Sequence, residues 1–326
     1  MKVGIVGYGN LGKGVENAVQ YTKDMELIGI FTRRNPACIK PKTNVKVYTM
    51  DEIERMVGII DVFILCGGSA KDLPKQTKML AKYFNVVDSY DVHGNIYNHF
   101  KEVDDASKNG KHISIISIGW DPGLFSLQRL YGQAILPNGK DYTFWGKGIS
   151  QGHSDAIRKI DGVIDAREYT IPKKKIIQDV KQGKNINLAK NQYHIRECYV
   201  VVKNGIDTKK IEHQIKTIPY YFNDYETHVH FITQTEMDEN YNQLSHGGSI
   251  FRNGVTGYDH EQHHHTIEYT LKLDSNPEFT ASVLVAYARA AYRLQKEGQI
   301  GCRTIFDIAP CYLHESNWEE LIKNLL

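Results

Sequence analysis

The chain has 326 residues, enough for two domains at roughly 100–200 residues per core. Its 40 Lys and Arg nearly balance 38 Asp and Glu, and the formal charge of +2 excludes the strong positive field that holds nucleic acid or an anionic membrane, leaving a small molecule as the expected partner. Five cysteines (Cys38, Cys66, Cys198, Cys302, Cys311), odd in number and without a CxxC pair, argue against a disulfide framework or a zinc knuckle. With no apolar run of about 18 residues, they predict a soluble, cytoplasmic protein in a reducing compartment.

In chain order, short apolar runs at Val3–Val6, Leu27–Phe31, Val62–Cys66, Val86–Asp88 and Ile113–Ser117 alternate with helical patterns. That rhythm predicts a parallel sheet with crossover helices, its strands buried on both faces. Beyond residue 125 the spacing becomes irregular. Strands are expected at Tyr142–Trp145, Cys198–Lys203, Thr227–Thr233 and Thr266–Leu273, with helices near Asp207–Thr217 and Thr280–Lys296. The tail reads as a strand, Thr304–Ala309, and a helix, Trp318–Leu325, returning to the first domain. The fold class is therefore α/β: a Rossmann-type, mostly parallel sheet over residues 1–122, an α+β second domain over 123–300, to which the resemblance given below assigns substrate binding and dimerisation, and a C-terminal segment, 301–326, packing on the first domain. Two lobes with a cleft are the expected arrangement, and closure is expected of such an enzyme.

Gly7-Tyr8-Gly9-Asn10-Leu11-Gly12 follows the first strand and opens a helical pattern, the context in which G-x-G-x-x-G binds a dinucleotide. The first glycine turns the chain, the second lets amides approach the pyrophosphate, and the third permits close helix–strand packing. Where an acidic residue would hold the ribose diol of NAD stands Thr32-Arg33-Arg34, with no carboxylate to repel a 2′-phosphate. NADP is therefore the expected cofactor. Cys66-Gly67-Gly68-Ser69, Ser89-Tyr90-Asp91 and Ile118-Gly119-Trp120-Asp121-Pro122 end later strands and should face it too. Asp91 and Asp121 either bind the ammonium of an amino acid or cap helices.

In the second domain Trp145 reads as pocket wall or plain core, and Ser150–Asp155 as a pocket-lining loop. Arg196 and His246 either clamp a carboxylate or lie on the surface. His263-His264-His265, with His260 nearby, invites a metal reading. Consecutive strand residues point to opposite faces, however, so no metal site is expected and the run reads as a surface insertion.

These motifs together resemble the meso-diaminopimelate D-dehydrogenase family over nearly the whole chain. The resemblance is carried by Val6–Gly12, Ile30–Arg34, Gly119-Trp120-Asp121-Pro122-Gly123, Phe144-Trp145-Gly146, Ser150–Ala156, His246-Gly247-Gly248 and Leu271–Pro277. It implies NADP-dependent, reversible oxidative deamination of the D-centre of meso-2,6-diaminopimelate to L-2-amino-6-oxopimelate (tetrahydrodipicolinate) and ammonia, in lysine and cell-wall precursor synthesis. By the same resemblance, Asp91, Asp121, Trp145, Gln151 and Gly152 hold the D end, and Thr170, Arg196, His246 and Asn276 the L end. The cofactor would lie along Tyr8–Leu11, Thr32–Arg34, Cys66–Ser69, Ser89–Asp91 and Ile118–Pro122, and the protein would be a homodimer built through its second domain. Asp91, Asp121 and a bound water remain alternative proton acceptors. Departures are few: Tyr258–His264 looks like extra residues, and relatives often carry a bulkier residue at Gly67, expected to be tolerated beside the cofactor. Two other readings compete. A Rossmann oxidoreductase for a sugar or hydroxy acid would use a Lys or His base, and a non-catalytic NADP sensor would have lost its substrate groups.

Overall fold

The computed structural model describes residues 1–326 except Tyr220, Asn242, Gln243 and Asp259 and the side chains of Gln151 and Lys190. In its first part β1 (Lys2–Val6), α1 (Asn10–Val19), β2 (Glu26–Thr32), β3 (Lys46–Thr49), β4 (Val62–Leu65), α2 (Leu73–Leu80), β5 (Asn85–Asp88), α3 (Ile96–Gly110), β6 (Ile113–Ile115) and α4 (Leu124–Ile135) alternate. Then come β7 (Gly139–Trp145), β8 (Gly148–Ile149), α5 (Gln151–Arg158), β9 (Val163–Pro172), α6 (Lys174–Lys181), β10 (His194–Val202), α7 (Thr208–Lys216), β11 (Glu226–Phe231), α8 (Gln234–Asn240), β12 (His246–Thr256) and β13 (His263–Leu273). The long α9 (Asn276–Lys296), β14 (Gly301–Arg303) and α10 (Trp318–Leu325) complete the chain.

Two compact units result, Met1–Leu127 with Pro277–Leu326, and Gln128–Asn276. The first holds a seven-stranded sheet, β14-β6-β5-β4-β1-β2-β3, in which every pairing is parallel. Val3, Ile5, Val62 and Ile64 are fully buried at its centre, as strands covered on both faces require. The order reverses beside β1, so the loops after β1 and β4 flank a crevice, where open α/β sheets bind ligands.

The expected boundary at residue 300 moves to 277, because α9 belongs to the first unit. Its Ala281, Leu284, Ala288, Ala291 and Leu294 recur at helical spacing and bury into the cluster containing Val3, Ile5, Val15 and Ile30. Arg289 anchors the helix to Asp24 with a two-pronged ion pair at 2.5 and 2.8 Å. The expected strand Thr304–Ala309 is instead a 3-10 turn, Ile305–Asp307, where the Asp307 carboxylate accepts from the Thr304 amide. The true strand lies just before it, Cys302 pairing with Ser114 of β6.

The second unit contains a four-stranded sheet, β11-β10-β9-β8, and a three-stranded antiparallel sheet, β13-β12-β7. Cys198, Val200, Ile211, Ile215 and Phe222 form one core, and Tyr142, Phe144, Val180 and Phe251 another. β9 and β12 escaped the sequence reading: β9 carries Asp165, Arg167 and Glu168, and β12 carries three glycines with Arg252 and Asn253, so neither shows an apolar run. β3, a half-exposed edge strand, escaped for the same reason. His263–His265 are the exposed first residues of β13, entered through the connection that contains Tyr258.

Candidate active site

In the first unit the glycine loop and the ends of β2 and β4 enclose a cleft of about 260 Å³. Gly7, Tyr8, Gly9, Thr32, Arg33, Arg34, Cys66, Gly67 and Gly68 line it, joined by Val6, Phe31, Met50, Asp72 and Gln76, which were not among the expected cofactor residues. Gly7 turns with φ +90°, and a Cβ on Gly12 would stand 2.2 Å from the Gly7 carbonyl oxygen, so only glycine lets α1 sit this close to the loop. Asn10 and Leu11 form the first turn of α1, which no side chain caps, so its N–H groups face outward as an anion site.

Around the cleft the side chains are tied to one another. The Arg34 guanidinium donates to the Tyr8 carbonyl, and its amide donates to the Thr32 hydroxyl at 3.1 Å. The Tyr8 hydroxyl is committed to Glu16, and burial together with that carboxylate pushes its pKa up to about 12, which removes it as an acid or base. Burial likewise raises the Cys66 thiol, which stays protonated. From a different loop, Asp72, which the sequence reading did not single out, pairs with Arg33 at 2.9 Å and accepts from the Gly68 amide at 2.9 Å. These two donors hold its carboxyl below the usual range.

The loops after β5 and β6 share one anchor, fully buried Asp88. Its Oδ1 accepts from the amides of Tyr90 (3.0 Å) and Ser117 (2.9 Å), and its Oδ2 meets the Thr77 hydroxyl (2.7 Å) and His99 Nε2 (2.8 Å). The Ile118 amide donates to its carbonyl at 2.9 Å. Asp88 thus sets the paths of Ser89-Tyr90-Asp91 and Ile118-Gly119-Trp120-Asp121-Pro122. The Tyr90 ring stacks on His99, and Trp120 is buried against Phe125, so both are packing groups on their side-chain side. Asp91 is exposed, its amide bonded to the Ser69 hydroxyl at 2.8 Å, and it caps no helix, since Asn95 precedes α3. Asp121 is half-buried, three residues ahead of α4.

In the second unit Arg196 of β10 stands opposite Thr170 of β9, and Gly148 of β8 pairs with Thr170 from the other side. The Arg196 guanidinium donates to the Thr170 hydroxyl and lies 4.2 Å from the Tyr225 ring centre. Both are buried rather than on the surface, and Arg196 Nε is buried without a hydrogen-bond partner among the described residues. The His246 ring lies so close to Gly148 that a Cβ there would meet it at 2.4 Å. Its Nδ1 lies 2.8 Å from the Gly247 amide and 3.1 Å from the Gly247 carbonyl, and burial lowers its pKa against the opposing pull of that carbonyl and of Glu168.

Trp145 ends β7 with 40% of its surface exposed, which makes it a wall and not core. Its amide donates to His194 Nε2 at 2.9 Å, and the two rings stack. The expected loop at Ser150–Asp155 is the start of α5, capped by the Ser150 hydroxyl. Gly152 is exposed in its first turn, whereas the Gln151 side chain lies outside the described residues. Asn276, at the end of this unit, donates its amide to the Leu244 carbonyl at 2.9 Å.

The family described as Diaminopimelic acid dehydrogenase C-terminal domain matches residues 119–275. A Meso-diaminopimelate D-dehydrogenase of Acetivibrio thermocellus is 56% identical, covering 100% of this chain and 98% of its own. Among solved structures, a mutant meso-dapdh with DAP from Clostridium tetani E88 has a TM-score of 0.94 at 49% identity, covering 100% of this chain and 99% of its own. An engineered D-amino acid dehydrogenase bound to NADP+ has a TM-score of 0.87 at 38% identity, with 100% and 99% coverage.

Proposed function

The chain belongs to the meso-diaminopimelate D-dehydrogenase family, and we propose that it oxidises the D-centre of meso-2,6-diaminopimelate with NADP, giving L-2-amino-6-oxopimelate and ammonia, and runs the reverse reductive amination. The observation that carries the substrate assignment is Arg196, a buried cation beside Thr170 whose Nε has no partner among the described residues. An unpaired buried donor is costly unless a ligand completes it, and a carboxylate does so.

NADP fits the first unit. The uncapped turn of α1 suits the pyrophosphate, and Thr32, Arg33 and Arg34 at the end of β2 suit a 2′-phosphate. When bound, NADP supplies a nicotinamide that accepts the hydride from the substrate's Cα–H. Asp91 and Asp121 accept hydrogen bonds from the reacting ammonium, while Arg196, Thr170, His246 and Asn276 hold the distal end, with Trp145 and Gly152 beside the D end. Fixing the far end restricts which hydrogen of the reacting centre is presented, so remote binding energy supplies orientation. Water then adds to the substrate imine and ammonia leaves.

Incubation with NADP and the meso, LL or DD isomer, followed by nicotinamide absorbance, tests the reading. NADPH is expected from the meso isomer and not from LL; no NADPH from meso overturns it. The family resemblance also supports a homodimer assembled through the second unit, to be read from sedimentation velocity, and the five free cysteines suit a reducing cytoplasm. Among the described residues no helix is long and apolar enough to cross a membrane.

A further inference from the structure

Glu168 of β9 is a fully buried carboxylate to which the sequence reading gave no role. Its surroundings are all polar groups of the second unit. The Thr170 hydroxyl approaches its oxygens at 3.2 and 3.5 Å, Arg196 Nη1 lies 3.6 Å away, and His153 Nδ1 lies 3.3 Å away. The Glu168 amide accepts no solvent role either, since it donates to the Ser154 hydroxyl of α5 at 2.9 Å.

The hydrogen-bond directions leave little choice. Arg196 has only donors, so the Thr170 hydroxyl accepts from it and must send its single proton elsewhere. Glu168 is the acceptor within reach. A chain therefore runs from guanidinium to hydroxyl to carboxylate, and Glu168 also supplies the negative charge that a buried guanidinium needs. On its other side His153 Nδ1, which also meets the Ser150 hydroxyl, lies 3.3 Å from the carboxylate, and the Glu168 amide bonds Ser154, so β9 is joined to the first turn of α5, where Gln151 and Gly152 stand.

We propose that Glu168 is a positioning residue for the substrate, fixing the Arg196–Thr170 pair that receives its distal end and joining that pair to the turn carrying Gln151 and Gly152. The inference rests on the assignment of Arg196 to the distal carboxylate. Glu168 touches no substrate itself; it sets the direction in which the free Arg196 Nε points.

The test is a double-mutant cycle of Glu168→Gln, Arg196→Met and the pair, with KM for meso-diaminopimelate, KM for NADP, kcat and thermal midpoint measured for each. Glu168→Gln keeps the shape and loses the charge. Its KM for meso-diaminopimelate is expected to rise about tenfold or more, with kcat and KM for NADP within about threefold, the signature of lost binding rather than lost chemistry. In the Arg196→Met background the same change should add less than about twofold, because its effect passes through the guanidinium. A full, additive rise in that background, or no rise in the single variant while Arg196→Met is impaired, overturns the proposal and leaves the assignment of Arg196 standing. An Arg196→Met enzyme with unchanged KM removes that assignment and the proposal with it. Should Glu168→Gln fail to fold, recovery of folding in the double variant supports the coupling, since the stranded charge is then gone. Failure of the double variant as well overturns it.

Discussion

Thr170 and Arg196 stand directly opposite each other on β9 and β10, and the guanidinium of one donates to the hydroxyl of the other. Thr170→Val keeps the shape and strands a buried donor, at a cost of about 1–3 kcal/mol. KM for meso-diaminopimelate should rise by roughly tenfold, while KM for NADP stays unchanged in initial-rate kinetics.

Arg33 faces two anions, the internal Asp72 and the proposed 2′-phosphate. Arg33→Glu should lower the kcat/KM preference for NADP over NAD by at least about tenfold, that is about 1.4 kcal/mol. Asp72→Asn should move the same ratio upward, because it releases the guanidinium from its internal partner. An unchanged ratio in Arg33→Glu would remove the assignment of the 2′-phosphate to this arginine.

Gly12→Ala places a Cβ where only 2.2 Å separates it from the Gly7 carbonyl oxygen. Backbone must shift, so overpacking of about 1–3 kcal/mol is expected. The thermal midpoint should fall and the dissociation constant for NADPH, read by fluorescence titration, should rise.

Asp88→Asn replaces a buried acceptor of four hydrogen bonds with an amide that must present donors to Thr77 and His99. A loss of about 1–3 kcal/mol in urea unfolding is expected. Because two loops hang from this residue, kcat/KM should fall even at temperatures where the variant is fully folded.

His194 is buried next to Arg196, and both the burial and that charge hold its pKa down to about 3. In the unfolded chain it titrates near about 6.5. As pH falls, the unfolded state takes up the proton first, so stability is lost from about 6.5 down towards about 3, by up to about 1.4 kcal/mol per pH unit. His194→Gln should flatten that slope in urea midpoints measured from pH 7 to 5.

The parallel sheet was legible because burial on both faces demands continuous apolar runs such as Val62–Leu65, and the glycine loop because its geometry excludes side chains at Gly12. The place of Thr32-Arg33-Arg34 in the cleft was legible because it closes a strand whose end faces the crevice. β9 and β12 were not, since neither carries an apolar run: Asp165 and Arg167 of β9 pair with each other, and Arg252 of β12 is met by the distant Leu136 carbonyl. The helical start of Ser150–Asp155 was hidden by its polar, glycine-containing composition.

By itself, then, the sequence determined a parallel sheet whose glycine loop and basic turn line one cleft and, through resemblance, the family to which the chain belongs. Tertiary structure alone decided which charges meet: Asp72 on Arg33, Asp88 beneath two loops, and Glu168 behind Arg196. A carboxylate's role depends on whether burial removes its water and which donors replace it. Those donors come from other strands and helices, so no local pattern in the chain records them.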